Sequence, residues 1–187
     1  MSLPEKKPCL LVFAGPNGSG KSSVTRSQRI VGEYVNADLI KKLKGCSDLE
    51  AAVEAEAVRE YLLKNRMDFT FETVLSTPRN MLLLQRAKEA GYYIRVFFIL
   101  TIDCSINVRR VADRVKKGGH DVPEEKIRSR YSKSLDNLRT LYKIADDLWV
   151  YDNSGDEPHL IAIVHNGLLQ VCPNPFWPQD KILKLFR

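Results

Sequence analysis

The chain has 187 residues, 44% of them hydrophobic and 28% charged, a balance that leaves room for a real core and excludes a disordered polypeptide. Its formal net charge of +6 suits a protein that handles polyanionic nucleotides, but a solvated basic surface explains such a balance equally well, and charge alone does not make a nucleic-acid binder. No apolar run reaches the length of a membrane span, the N-terminus lacks a secretory h-region, and four scattered cysteines without a C-x-x-C pair beside three histidines argue for reduced thiols rather than zinc, so the expected location is the cytoplasm.

The first expected element is a strand over 8–14, where Cys9-Leu10-Leu11-Val12-Phe13-Ala14 forms a short apolar run. It leads into Gly15-Pro16-Asn17-Gly18-Ser19-Gly20-Lys21-Ser22, which fits the phosphate-binding loop G-x-x-x-x-G-K-[ST] at every required position. Glycines let backbone N–H groups turn inward around phosphate oxygens, and the helix expected over 21–29 adds its positive end. Lys21 is placed to bridge the outer phosphates of ATP and Ser22 to ligate Mg²⁺, with Ser23 next along the same turn.

Further strands are expected at 33–36, 69–75, 93–100 and 147–151, and helices near 38–44, 47–65, 78–90, 104–117 and 123–146. Ser47 followed by Glu50 reads as a capping box for the third helix, along which Leu49, Val53, Ala57 and Tyr61 recur with helical spacing. After the fifth strand, two apolar runs flank Asn166-Gly167, the favoured two-residue hairpin turn, so His159 and His165 read as strand residues rather than ligands. Strand–helix alternation predicts an α/β architecture with a mostly parallel five-stranded sheet, helices on both faces and a C-terminal β-hairpin, and the phosphate-binding loop after its first strand points to a P-loop NTPase/kinase fold. One domain is expected over 1–187, with a lid region about 108–135 and the hairpin and tail about 158–187.

In open α/β sheets the ligand lies beyond the carboxyl ends of the strands. After the second strand comes Asp38, which either caps its helix or serves as general base for a substrate hydroxyl. Glu72 interrupts a β-prone apolar run, and a buried unpaired carboxylate is costly, so it is expected to face the site and to hold either a substrate hydroxyl or, through water, the metal. Thr73 and Ser76 are weaker candidates for substrate hydrogen bonds. Asp103 either serves as a second metal carboxylate or caps the helix that follows.

Two cation-rich helices joined by Gly118-Gly119-His120-Asp121 read as a mobile lid, with Arg114, Arg128 and Arg130 favoured over Arg110 to close on transferring phosphate. His120 is placed to contact phosphate or substrate on closure. Tyr151-Asp152-Asn153-Ser154-Gly155 follows the fifth strand and is either a base pocket, with Asn153 as nucleotide contact, or an ordinary loop.

The phosphate loop, Asn36-Ala37-Asp38, Phe71-Glu72-Thr73-Val74-Leu75-Ser76, Gly118-Gly119-His120-Asp121-Val122-Pro123 with Arg128 and Arg130, and Tyr151-Asp152-Asn153-Ser154 together resemble the zeta-toxin family of P-loop kinases. The resemblance spans most of the chain, and its Glu-Thr-x-Leu-Ser and Gly-Gly-His-x-Val-Pro segments are more specific than the loop. It implies ATP-dependent phosphorylation of a hydroxyl on a small molecule, typically a UDP-activated amino sugar. Within it Asp38 would be the base, Glu72 would bind substrate, Arg128 or Arg130 (with Arg114) would stabilise the transferred phosphate, and an antitoxin would be a partner. Two rival readings stand beside it: a polynucleotide 5′-hydroxyl kinase, which needs a basic–aromatic groove that the sequence does not display, and a non-catalytic ATP-binding regulatory module.

Overall fold

The computed structural model describes residues 6–187. Among the described residues, seven strands form one sheet in the order β2-β3-β1-β4-β5-β6-β7. The first five, β1 (Cys9–Ala14), β2 (Glu33–Val35), β3 (Phe69–Thr73), β4 (Tyr93–Leu100) and β5 (Asp147–Asp152), run parallel. The hairpin of β6 (His159–His165) and β7 (Leu168–Val171) continues the same sheet antiparallel to β5. As expected, both histidines are strand residues.

The helices are α1 (Lys21–Ser27), α2 (Ala37–Lys44), α3 (Asp48–Lys64), α4 (Pro78–Glu89), α5 (Cys104–Lys116), α6 (Glu124–Ile144) and a short α7 (Gln179–Lys184). None among the described residues is long and apolar enough to cross a membrane. Alternating residues of β1 serve the two faces of the sheet, as strand geometry requires. Leu10, Val12 and Ala14 join the main core, whereas Leu11 and Phe13 pack with Phe97, Ile99 and Val24 of α1.

The capping box is present: Ser47 accepts from the Glu50 N–H while the Glu50 carboxylate accepts from the Ser47 N–H. The i, i+4 series on α3, however, faces solvent, with Leu49 74% and Tyr61 62% exposed. Ala51, Ala55, Leu62 and Leu63 are buried instead, the two alanines letting the helix lie close and the two leucines filling the core at its end.

The register places the site. Ala14 of β1 is level with Thr73 of β3 and Phe98 of β4, so the chain leaves the three central strands near one edge of the sheet. β1 connects outward to β2 while β4 lies on its other side, which opens a crevice of the kind α/β sheets use for ligands.

Candidate active site

The phosphate loop wraps the end of β1 on backbone geometry that only glycine accepts. Gly15 has φ +138° and a Cβ there would lie 1.9 Å from the Ile99 carbonyl oxygen; Gly20 has φ +91° and its Cβ would lie 2.1 Å from Asn153 Nδ2. The Lys21 ammonium folds back on the loop, donating to the carbonyls of Gly15 (2.7 Å) and Pro16 (2.8 Å). Burial pushes its pKa down to about 8; Arg114 adds to the fall, and Glu72 and Asp38 oppose it.

A cleft of about 430 Å³ opens beside the loop. It collects Asn17, Gly18, Gly20, Lys21, Ser22 and Ser23 from the loop and α1, Asp38 from α2, and Glu72 and Thr73 from β3, so most of the residues singled out in the sequence meet here. The Ser22 hydroxyl donates to Glu72 Oε2 at 3.0 Å, and the Tyr34 hydroxyl donates to Glu72 Oε1 at 2.6 Å. Asn36 Nδ2 donates to Tyr34 in turn at 2.9 Å. Burial, followed by the hydrogen bond to Glu72, raises the Tyr34 pKa, so this phenol stays protonated and keeps donating.

Asp38 is not the cap of its helix. Asn36 is, its side-chain oxygen accepting from the N–H groups of Asp38 (2.9 Å) and Leu39 (3.2 Å). That leaves the Asp38 carboxylate without a capping duty on the first turn of α2, facing the cleft. Asp103, in contrast, does cap α5, accepting from the Ser105 N–H at 2.6 Å.

The arginines divide differently from the sequence expectation. Arg114 lines the cleft, donating to the His120 carbonyl at 2.8 Å, and Arg110 lines it too. Arg110 also grips the turn after β5 through the carbonyls of Asn153 (2.6 Å), Ser154 (3.3 Å) and Gly155 (3.1 Å). Arg128 and Arg130 do not line the cleft: Arg128 sits in an exposed pair with Glu124, one helical turn back on α6. His120 is exposed, its Nδ1 3.9 Å from Asp48. Ser76 lies outside the cleft, and the Thr73 hydroxyl is taken up locally, accepting from Leu75 N (2.9 Å) and Asn80 Nδ2 (2.7 Å).

Asn153 supports the loop instead of opening toward the cleft. It is buried and donates to the Ser19 carbonyl at 2.7 Å. It also borders a second hollow of about 590 Å³, with Gly20, Ser23, Val24, Arg110 and Tyr151, on the α1 side of the loop.

Sequence reasoning missed three residues. Asn107, fully buried on α5, donates to the Asn17 carbonyl at 2.6 Å and pins the loop from below. Tyr34 steadies Glu72. Arg59 enters the cleft from α3 with its guanidinium over the Phe71 ring, 5.2 Å from the centroid. A tyrosine in the short strand ahead of Asn36 was the available signal for Tyr34; nothing in a helix of mixed charge singles out Arg59.

Comparisons with known proteins bear on the family and the fold. Residues 46–161, more than half of the chain, match the profile of the family described as Zeta toxin, a span that holds Glu72 and the α5–α6 segment but neither the phosphate loop nor Asp38. An uncharacterized protein of Haemophilus influenzae is 27% identical over 127 residues, 65% of this chain and 91% of that protein. The fold is similar to a chain of the AvrRxo1-ORF1:-ORF2 structure with ATP, at a TM-score of 0.73 and 17% identity, covering 97% of this chain but only 64% of that one. It is also similar to a chain of the PezAT toxin-antitoxin system of Streptococcus pneumoniae, at a TM-score of 0.58 and 18% identity over 79% of this chain and 68% of that one.

Proposed function

The chain belongs to the zeta-toxin family of P-loop kinases, and from that premise we propose that it transfers the γ-phosphate of ATP to an alcohol hydroxyl on a small molecule, with Asp38 as the base. One observation carries the reading: a carboxylate relieved of capping by Asn36 shares a cleft with the phosphate-loop lysine and hydroxyl. A capping aspartate would spend its oxygens on backbone N–H groups.

In this reaction Asp38 accepts the proton of the acceptor hydroxyl as its oxygen bonds to the γ-phosphorus. The bond from that phosphorus to the bridging oxygen of ADP breaks, and the charge that gathers there is met by Lys21 and Arg114. Arginine suits that place because it stays charged and offers a planar pair of donors. Ser22 and the Glu72 carboxylate beside it are hard oxygen donors and fit Mg²⁺, which when bound neutralises phosphate charge. Tyr34 holds Glu72 in the rotamer that faces Ser22. The hollow between α1 and the turn after β5 has the size and position to take the nucleoside end of ATP, with Arg110 bracing its wall.

ATP as donor is supported by the AvrRxo1 structure, which was solved with it. A nucleotide-sugar, such as a UDP-activated amino sugar, is the acceptor class we propose, and an antitoxin-type protein is the proposed partner, supported by the PezAT system. The test is incubation with ATP–Mg²⁺ and a panel of nucleotide-sugars, nucleosides and 5′-hydroxyl oligonucleotides, followed by mass spectrometry for a product one phosphate heavier. Asp38→Asn is expected to lower transfer at least about 100-fold, the scale of general-base catalysis, while leaving ATP affinity within about twofold. Full transfer by Asp38→Asn would remove Asp38 as base. Transfer to the oligonucleotide alone would make the chain a polynucleotide kinase.

A further inference from the structure

Four cations line the cleft, and three of them are occupied. Lys21 donates to two loop carbonyls, Arg110 to three carbonyls beyond β5, and Arg114 to the His120 carbonyl. Arg59 is different. Its Nε is buried without a hydrogen-bond partner, and among the described residues no carboxylate lies within ion-pair distance of it. The two carboxylates that act on it, Glu56 and Glu60, are paired with Arg79 and Arg86.

Leaving the Nε–H of a half-buried guanidinium without a partner is costly, and a cation in that state gains from an anion that reaches it. The Phe71 ring, its centroid 5.2 Å from the guanidinium carbon, favours the cation there without taking up any of its N–H groups. Topology says which half of the reaction it serves. Arg110 and Arg114 come from α5, which follows β4 on one side of β1, whereas Arg59 comes from α3, between β2 and β3 on the other. Asp38 and Glu72 also come from that β2–β3 side.

We propose that Arg59 is a specificity-determining residue for the acceptor, receiving an oxyanion (a phosphate or carboxylate) that the acceptor carries beside the hydroxyl offered to Asp38. The inference rests on the kinase reading of the cleft and narrows it: uncharged alcohols are poor acceptors and anionic ones are good. Arg59 orients the acceptor by two hydrogen bonds and takes no part in the proton or phosphoryl transfer.

The experiment uses the whole chain with its phosphate loop filled by a non-hydrolysable ATP analogue and Mg²⁺. The Arg59 Nε–H is followed by ¹H–¹⁵N NMR while inorganic phosphate, and separately acetate, is titrated. A saturable downfield shift is expected, and the anion that binds more tightly identifies the acceptor's group. Arg59→Met is expected to abolish the tight phase of anion binding and Arg59→Lys to weaken it roughly tenfold or more, because the planar fork is lost. Both variants should bind the analogue as the wild type does, and Arg59→Lys keeps the cation should Arg59→Met fold poorly. An Arg59 signal indifferent to both anions with the analogue bound, or anion affinity unchanged in Arg59→Lys and Arg59→Met, would overturn the assignment. Failure of the wild type to bind the analogue would instead overturn the kinase reading, and this inference with it.

Discussion

Lys21 carries a proton that a bound triphosphate would affect. An exposed lysine titrates near 10.4, and burial in the loop brings Lys21 down to about 8. The folded, nucleotide-free protein therefore binds fewer protons than the unfolded chain between those values. The cost of burying the ammonium is felt in full below pH 8 and fades as pH rises toward the unfolded value, so this group makes stability rise across that window. Triphosphate reverses the preference, because its charge favours the ammonium. Calorimetry in buffers of different ionisation enthalpy should register uptake of more than half a proton on nucleotide binding at about pH 8.5, and almost none from Lys21 at about pH 6.5. Lys21→Met should abolish the difference. Asn107 offers a second test at this scale. Removing its amide leaves the Asn17 carbonyl without its donor, and Asn107→Ala should cost about 1–3 kcal/mol in denaturant unfolding and weaken ATP binding. The loop motif makes Lys21 legible in the sequence by itself, whereas Asn107 supports the loop from 90 residues away and carries no local mark.

Among the elements, α2 and α3 show how caps locate chemistry. The Ser47–Glu50 box is readable from spacing because both halves of it lie within four residues. Ser47→Ala should lower stability by about 1 kcal/mol, seen as a shift of the urea midpoint with unchanged slope. The start of α2 is ambiguous in sequence: Asn36 and Asp38 are both good caps, and only the backbone, extended at Asn36 with φ −135°, decides between them. Asn36→Ala should therefore do two things, destabilise the helix start by about 1 kcal/mol and lower the rate of phosphoryl transfer as Asp38 loses its fixed place. Phosphate transfer and thermal unfolding measured on the same preparation would separate the two effects. The helices α5 and α6 show the opposite limit. Arg114 lies on the face of α5 that meets the cleft, while Arg128 lies on a face of α6 that does not, and which face turns inward is set by packing of Val111, Val122 and Ile127.

For the whole molecule, the C-terminal tail closes the main core rather than trailing from it. Trp177 is 2% exposed and belongs to the same cluster as the central strands, with Lys181 over its ring at 4.6 Å. Trp177→Ala should cost about 3–5 kcal/mol and lower the melting temperature by several degrees, with nucleotide binding by the folded fraction retained. Local signals alone determined the strand–loop–helix unit, the alternation that makes a parallel sheet, the Asn166-Gly167 hairpin and the carboxylates after β2 and near the end of β3. Each depends on residues within a few positions of one another, through backbone freedom, side-chain periodicity or capping. Tertiary structure decided which arginines share the cleft, that Asn153 braces the loop, that Tyr34 steadies Glu72, and that Arg59 stands without an anion. Contacts such as those of Tyr34 and Asn153 join residues 38 and 134 positions apart, and no local pattern encodes a distance of that kind.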